Sequence, residues 1–99
     1  MEFAIDLSPD AQAQLDEFTA RERRTVLDAI DVRLRHEPLV RTRNRKPLDP
    51  NDLATWELRV GELRVFYDVE IEPHQIVWIR AIGRKIGDRL YLGGKEFEL

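Results

Sequence analysis

The chain has 99 residues, of which 42% are hydrophobic and 35% charged, with no cysteine and a formal net charge of -3. That length fits one domain, the apolar fraction excludes a wholly disordered chain, and the lack of cysteine excludes disulfides and thiolate metal sites. The acidic total argues against nucleic-acid binding, but residues 21–46 carry nine Lys or Arg against four acids, and local potential steers a polyanion more than the total does.

The first ten residues, MEFAIDLSPD, lack a basic region followed by an apolar stretch. No apolar run approaches the roughly 20 residues that span a bilayer. The expected setting is cytoplasmic, with no membrane association. Phe3, Ile5 and Leu7 alternate with Ala4 and Asp6 as in a short strand. Ser8 and Pro9 then signal a helix start, with Ala11, Leu15 and Phe18 on its apolar face. Thr19-Ala20-Arg21-Glu22 matches a capping box and opens a second helix. Its stripe is Val26, Leu27, Ile30 and Leu34, and Pro38 ends it.

Residues 38–55 read as a connecting loop with three prolines and the basic cluster Arg41, Arg43, Arg45 and Lys46. Two strands, Trp56–Val60 and Leu63–Val69, flank Gly61-Glu62, which suits a type II′ hairpin turn. Pro73-His74 marks the next turn, Ile76–Ile82 reads as a central strand ended by Gly83, and the tail RKIGDRLYLGGKEFEL reads as a helical turn and a last extended piece. The predicted fold class is α+β. Two N-terminal antiparallel helices pack on a small, mainly antiparallel four-stranded sheet, in the order β-α-α-β-β-β plus a short tail, as a single domain over residues 1–99.

The hairpin is the informative part. A turn at Gly61-Glu62 pairs Val60 with Leu63, Arg59 with Arg64, Leu58 with Val65 and Glu57 with Phe66. Alternation then puts Trp56, Leu58, Val60, Leu63, Val65 and Tyr67 on the face that floors the helices. Glu57, Arg59, Arg64, Phe66 and Asp68 share the other. Two arginines directly opposite each other cost roughly 0.2–1 kcal/mol. Either an anion fills the gap between them, or Glu57 relieves the repulsion as part of a surface ladder. Phe66 beside arginines suits stacking of an unpaired base, or it packs under the tail. The tail brings Arg84, Lys85, Arg89 and Tyr91, which either fold back over this face to stabilise a pentacovalent phosphate or close the edge of the core. His36 and His74 lack metal-ligand spacing, no Gly-rich phosphate loop precedes a helix, and no nucleophile elbow is present. No metal or cofactor is expected.

The segments LSPDAQAQLDEF, RNRKPL, WELRVGELRVFYDV and VWIRAIGRKIGDRLY, together covering nearly the whole chain, resemble the RelE/ParE superfamily of type II toxin–antitoxin toxins. The resemblance implies two helices on a four-stranded antiparallel sheet and a cognate antitoxin that wraps the toxin, ordinarily as a heterotetramer. In the RelE branch it implies an endoribonuclease that enters the ribosomal A site and cuts mRNA without a metal. The ribose 2′-hydroxyl attacks the adjacent phosphate and leaves a cyclic phosphate and a free 5′-hydroxyl. Carried over by position, Arg64 stabilises the transition state, Arg59 grips phosphate, Lys85 holds phosphate or protonates the leaving oxygen, and Tyr91 orients the base or the 2′-hydroxyl. Arg43, Arg45 and Lys46 contact ribosomal RNA, with Arg84 and Phe66 as further RNA contacts. Glu57 departs from the pattern, standing where the best-known RelE-type toxins carry lysine. It serves as a general base or neutralises Arg59. The alternatives are inhibition of DNA gyrase through protein contacts, as in the ParE branch, and a non-toxic binding module.

Overall fold

The computed structural model describes residues 2–99. In chain order they form β1 (Ala4–Leu7), α1 (Pro9–Asp16), α2 (Ala20–Leu34), β2 (Arg45–Pro47), β3 (Trp56–Val60), β4 (Leu63–Glu70), β5 (Ile76–Ile86), β6 (Arg89–Leu92) and β7 (Lys95–Phe97). Both helices start where their caps predict. The Ser8 hydroxyl oxygen accepts the Ala11 N–H at 3.1 Å with Pro9 at the first helical position, and the same hydroxyl donates to the Arg80 carbonyl at 3.0 Å, fastening α1 to β5. Thr19 and Glu22 form the reciprocal capping box, with both bonds at 3.1 Å.

α2 stops at Leu34, short of Pro38, because its exposed carbonyls find partners outside the helix. The Arg45 guanidinium donates to the Arg33 carbonyl, and the Phe3 N–H donates to the Arg35 carbonyl at 2.6 Å. Val26, Ile30 and Leu34 of the predicted stripe are buried, whereas Leu27 is 42% exposed.

The sheet runs in the order β2-β3-β4-β5-β6-β7 with antiparallel neighbours, and β1 joins β5 in parallel. The hairpin adopts the predicted register, including Arg59 opposite Arg64 and Glu57 opposite Phe66. Gly61 has φ of 61°, and no non-glycine residue among those described has positive φ, which fits the II′ pattern of a left-handed residue at the first turn position only. The front face carries Leu58, Val65, Tyr67, Ile79 and Ile82, which pack with Ala11, Leu15, Val26, Ile30 and Leu34 into the main core. α1 lies on β5 and α2 on β3. Tyr67 is fully buried and donates its hydroxyl to the Pro38 carbonyl at 2.7 Å, so the loop after α2 is tied to the core.

The strand count departs from expectation: seven strands form rather than four. The basic loop contributes β2, which pairs with β3. β5 does not end at Gly83 but continues to Ile86. The tail has no helical turn; it makes two hairpins instead. Gly87 at φ 63° turns β5 into β6, and Gly93 and Gly94 at φ 57° and 79° turn β6 into β7. Two consecutive left-handed residues are what a type I′ turn requires, and that requirement overrides the short helical tendency of the segment.

The tail hairpin covers part of the back face. Phe66, Ala81, Ala54 and Leu90 are buried there with Leu48, Leu53, Leu92 and Phe97 packed around them. Gly83 permits this approach, since a Cβ at that position would lie 2.4 Å from Leu92 Cδ2 and 2.5 Å from the Tyr91 carbonyl oxygen. A side chain can swing away, but a backbone carbonyl in a strand cannot. Gly83→Ala is therefore expected to destabilise the fold by about 1–3 kcal/mol, read as a lower urea midpoint at unchanged slope. An unchanged midpoint would mean that β6 does not sit on β5 this way.

Candidate functional site

The hairpin's charged cluster lies on the back face. Arg59 stands opposite Arg64, and Lys46 on β2 stands opposite Glu57. Arg64 is only 8% exposed and Glu57 only 6%. Arg64 Nη1 donates to the Gly61 carbonyl at 2.7 Å and to the Leu63 carbonyl at 2.9 Å. Its Nε lies 4.0 Å from Glu57 Oε1 and has no hydrogen-bond partner. Lys46 Nζ lies 3.8 Å from the other Glu57 oxygen. Both cations thus attract the carboxylate through space rather than through a short hydrogen bond.

Glu57 offsets part of the Arg59–Arg64 repulsion, as one of the two expected readings has it. It does not neutralise the cluster, because three cations share one carboxylate. Burial pushes the Arg64 guanidinium pKa down; Glu57 opposes this and the Arg59 charge adds to it. A buried N–H with no acceptor is costly, and native proteins rarely leave one without a use. Arg45 Nε and Gln75 Oε1 are likewise buried without a partner.

The remaining predicted site residues separate into three groups. Lys85 lies on the same face as the cluster: it shares that face with Gly83, the cross-strand partner of Arg64, and lines a neighbouring cleft of about 480 Å³ with Asp88, Arg89, Leu90 and Glu96. Arg43 and Lys46 are exposed, as an RNA contact requires.

The second group is buried or already occupied. Phe66 has no exposed surface and packs under the tail, so it is not available to stack a base. Arg45 is 9% exposed and caps the end of α2 through the Arg33 carbonyl, which makes it a structural cation at a helix C-terminus rather than a ribosome contact. Arg84 is held by Glu22 at 2.6 Å and Glu62 at 2.7 Å and lies 5.5 Å over the Phe18 ring, so its charge is already matched.

Tyr91 falls on the other side of the sheet. It pairs with Arg84 and, with Gln14, Glu17, Phe18 and Ile86, lines a front-side pocket of about 370 Å³. The tail brings Lys85 toward Arg64 but sends Tyr91 away from it, because neighbours along a strand point to opposite faces.

Arg33 is the residue that sequence reasoning passes over. It lies in the last turn of α2, where a cation is explained by the helix dipole alone. In space it joins Arg43 and Arg59 along a groove of about 480 Å³ between α2 and the hairpin.

Two carboxylates report on how the site is fastened. The hydrogen bond from Arg84, then that from the Thr19 N–H, hold Glu22 below the usual carboxylate range. For Asp68 burial acts upward, but hydrogen bonds from Thr55 and Arg80 outweigh it and the pKa falls. A folded pKa below the unfolded one stabilises above the unfolded value, and that stability is lost as pH falls through the folded value. The urea midpoint is expected to fall below about pH 4, and to fall less in Glu22→Gln, which keeps the capping box but loses the titrating charge. An acid limb identical in the variant would show that Glu22 does not couple to folding. Glu57→Ala leaves Arg64 buried without its carboxylate and is expected to cost about 3 kcal/mol by chemical denaturation; a cost near zero would mean that the pair is solvated.

No protein-family model matches the chain, and no curated protein matches it. Among solved structures, a chain of the crystal structure of the toxin–antitoxin complex RelBE2 from Mycobacterium tuberculosis superposes with a TM-score of 0.73 at 24% sequence identity. The superposition covers 86% of this chain and 100% of that one. The fold is therefore the α+β RelE-like one, with the helix pair and mainly antiparallel sheet that the sequence predicts.

Proposed function

We propose, from the RelE-like fold, that this chain is the toxin of a toxin–antitoxin pair and cuts mRNA on the ribosome by metal-free attack of a ribose 2′-hydroxyl. The observation that carries the reading is the buried Arg64 Nε–H, left without an acceptor between Glu57 and Arg59 on a net-positive face. In the reaction Glu57 accepts the 2′-hydroxyl proton while the 2′-oxygen–phosphorus bond forms. Arg64 donates to the phosphate oxygens as charge builds on them. The bond to the 5′-oxygen breaks, and Lys85 supplies the proton that the leaving oxygen takes up. Arg59 and Lys46 hold the flanking phosphates. Tyr91 has no part in this arrangement, since it lies on the opposite face. The fold likeness supports a cognate antitoxin as the protein partner.

Removing the group that stabilises the developing charge lowers cleavage more than binding. Arg64→Ala is expected to slow cleavage of a reporter mRNA in a purified translation system by on the order of 10²–10³-fold, while the variant still co-sediments with ribosomes. Cleavage at the unmodified rate in Arg64→Ala would refute the assignment. A second reading, inhibition of DNA gyrase through protein contacts, is favoured by the grip of the Gly61 and Leu63 carbonyls on Arg64 and by the displacement of Tyr91. Loss of gyrase supercoiling activity in the presence of a chain that leaves mRNA intact on ribosomes would select it.

A further inference from the structure

Five of the thirteen arginines face a carboxylate within 4.0 Å. Arg35 pairs with Asp31, Arg64 with Glu57, Arg80 with Asp68, Arg84 with Glu22 and Glu62, and Arg89 with Glu96. Arg33, Arg43 and Arg59 do not: among the described residues none of the three has an ion-pair partner, and all three line the same groove.

The groove has a definite construction. Thr25, Ala29 and Arg33 are spaced four apart along α2 and form one wall, the first two small enough to leave it open. Arg43 and Asn44 form the other wall, ahead of β2. Val60 and Gly61 line the hairpin end. Among the described residues no Asp or Glu lines the groove. Three like charges converging without a counter-charge repel one another, and that repulsion is relieved when an anion enters.

We propose that this groove is a second, sequence-independent binding site for the phosphodiester backbone of RNA, adjoining the back-face cluster and sharing Arg59 with it. Guanidinium groups suit phosphate because their planar forks bind its oxygens two at a time. An acidic peptide is the competing ligand for such a groove. It is disfavoured because stable peptide docking depends on apolar or aromatic anchors, and Ala29 and Val60 are the only apolar residues lining the groove. The choice of RNA among phosphodiesters rests on the function proposed above; the binding site itself rests on the three unpaired arginines.

The test measures binding without cleavage. The probes are a 2′-O-methyl 12-mer, which has no free 2′-hydroxyl to attack, and a duplex of the same sequence. Their anisotropy is followed from 50 to 200 mM salt. The double variant Arg33→Gln/Arg43→Gln is expected to weaken single-strand binding by on the order of 10-fold and to reduce the slope of log affinity against log salt by about 1.4, the contribution of two phosphate contacts. Each single variant should remove about half of that slope. Arg41→Gln, an exposed arginine outside the groove, should change neither quantity. A larger loss on the duplex than on the single strand would identify a folded RNA helix as the source of the phosphates. An unchanged slope in the double variant, or an equal loss in Arg41→Gln, would overturn the site. So would displacement of the RNA by a glutamate-rich peptide at lower concentration than unlabelled RNA. Groove-dependent binding in a chain that never cuts mRNA would leave this site standing and the cleavage reading fallen; cutting by a chain whose binding ignores Arg33 and Arg43 would do the reverse.

Discussion

Covering the sheet on both faces turns here on β5, which carries bulky side chains toward the helices and small ones where the tail crosses it. Its front row presents Val77, Ile79 and Ile82 to the helices, and its back row presents Ala81 and Gly83 to the tail. The front row supplies the main core. At Gly83 the back row leaves room for a neighbouring strand to pass at backbone distance. That closeness lets β6 and β7 fold over Phe66 and Ala81 and make a second, smaller core. Without it the back face of the hairpin would lie open, with a large aromatic ring exposed among cations.

This packing divides the charged residues according to function. Cations that fasten one element to another are matched: Arg45 holds the end of α2, and Arg84 bridges the first turn of α2, the β3–β4 turn and β5. The hairpin cluster is matched only in part, and burial makes the mismatch more costly than it would be in water. The edge groove is not matched at all. A net charge of -3 thus coexists with a strongly positive edge, because the acids at the N-terminus and in the tail lie elsewhere in the chain.

Much of this was legible in the sequence. Both helix caps, the Gly61-Glu62 turn and the complete β3–β4 register follow from local chemistry, in which a side-chain oxygen meets a nearby N–H or a glycine meets a left-handed turn. The hairpin's share of the helix-facing core follows from alternation, whereas Ile82 joins Val77 and Ile79 there only because β5 shifts register opposite Phe66 and Tyr67. The tail was not legible, because its conformation depends on a surface formed by other strands. Gly83 reads as a stop signal until β6 is seen lying over it, and the stretch with Gly93-Gly94 reads as part of a helical turn and an extended piece until β7 is seen to need a hairpin turn. The site was legible in part for the same reason. Arg59, Arg64 and Glu57 meet through the predicted hairpin pairing, whereas Lys46 joins them through β2, in a stretch that reads as loop. Phe66 was assigned from its place beside arginines and Tyr91 from the family resemblance, whereas their positions are decided by the tail: one is buried beneath it and the other carried to the opposite face. Arg33 could not be found from sequence, since the groove it lines unites residues from α2, the basic loop and the hairpin.

The proposed chemistry is tested most directly by mapping the 5′ ends of a reporter mRNA by primer extension in a purified translation system, with and without ribosomes. The account predicts new ends inside the codon occupying the A site, with upstream fragments ending in a cyclic phosphate, and no new ends when ribosomes are omitted. Intact mRNA at concentrations of the chain that arrest growth, or equal cutting of free and ribosome-bound mRNA, would contradict it.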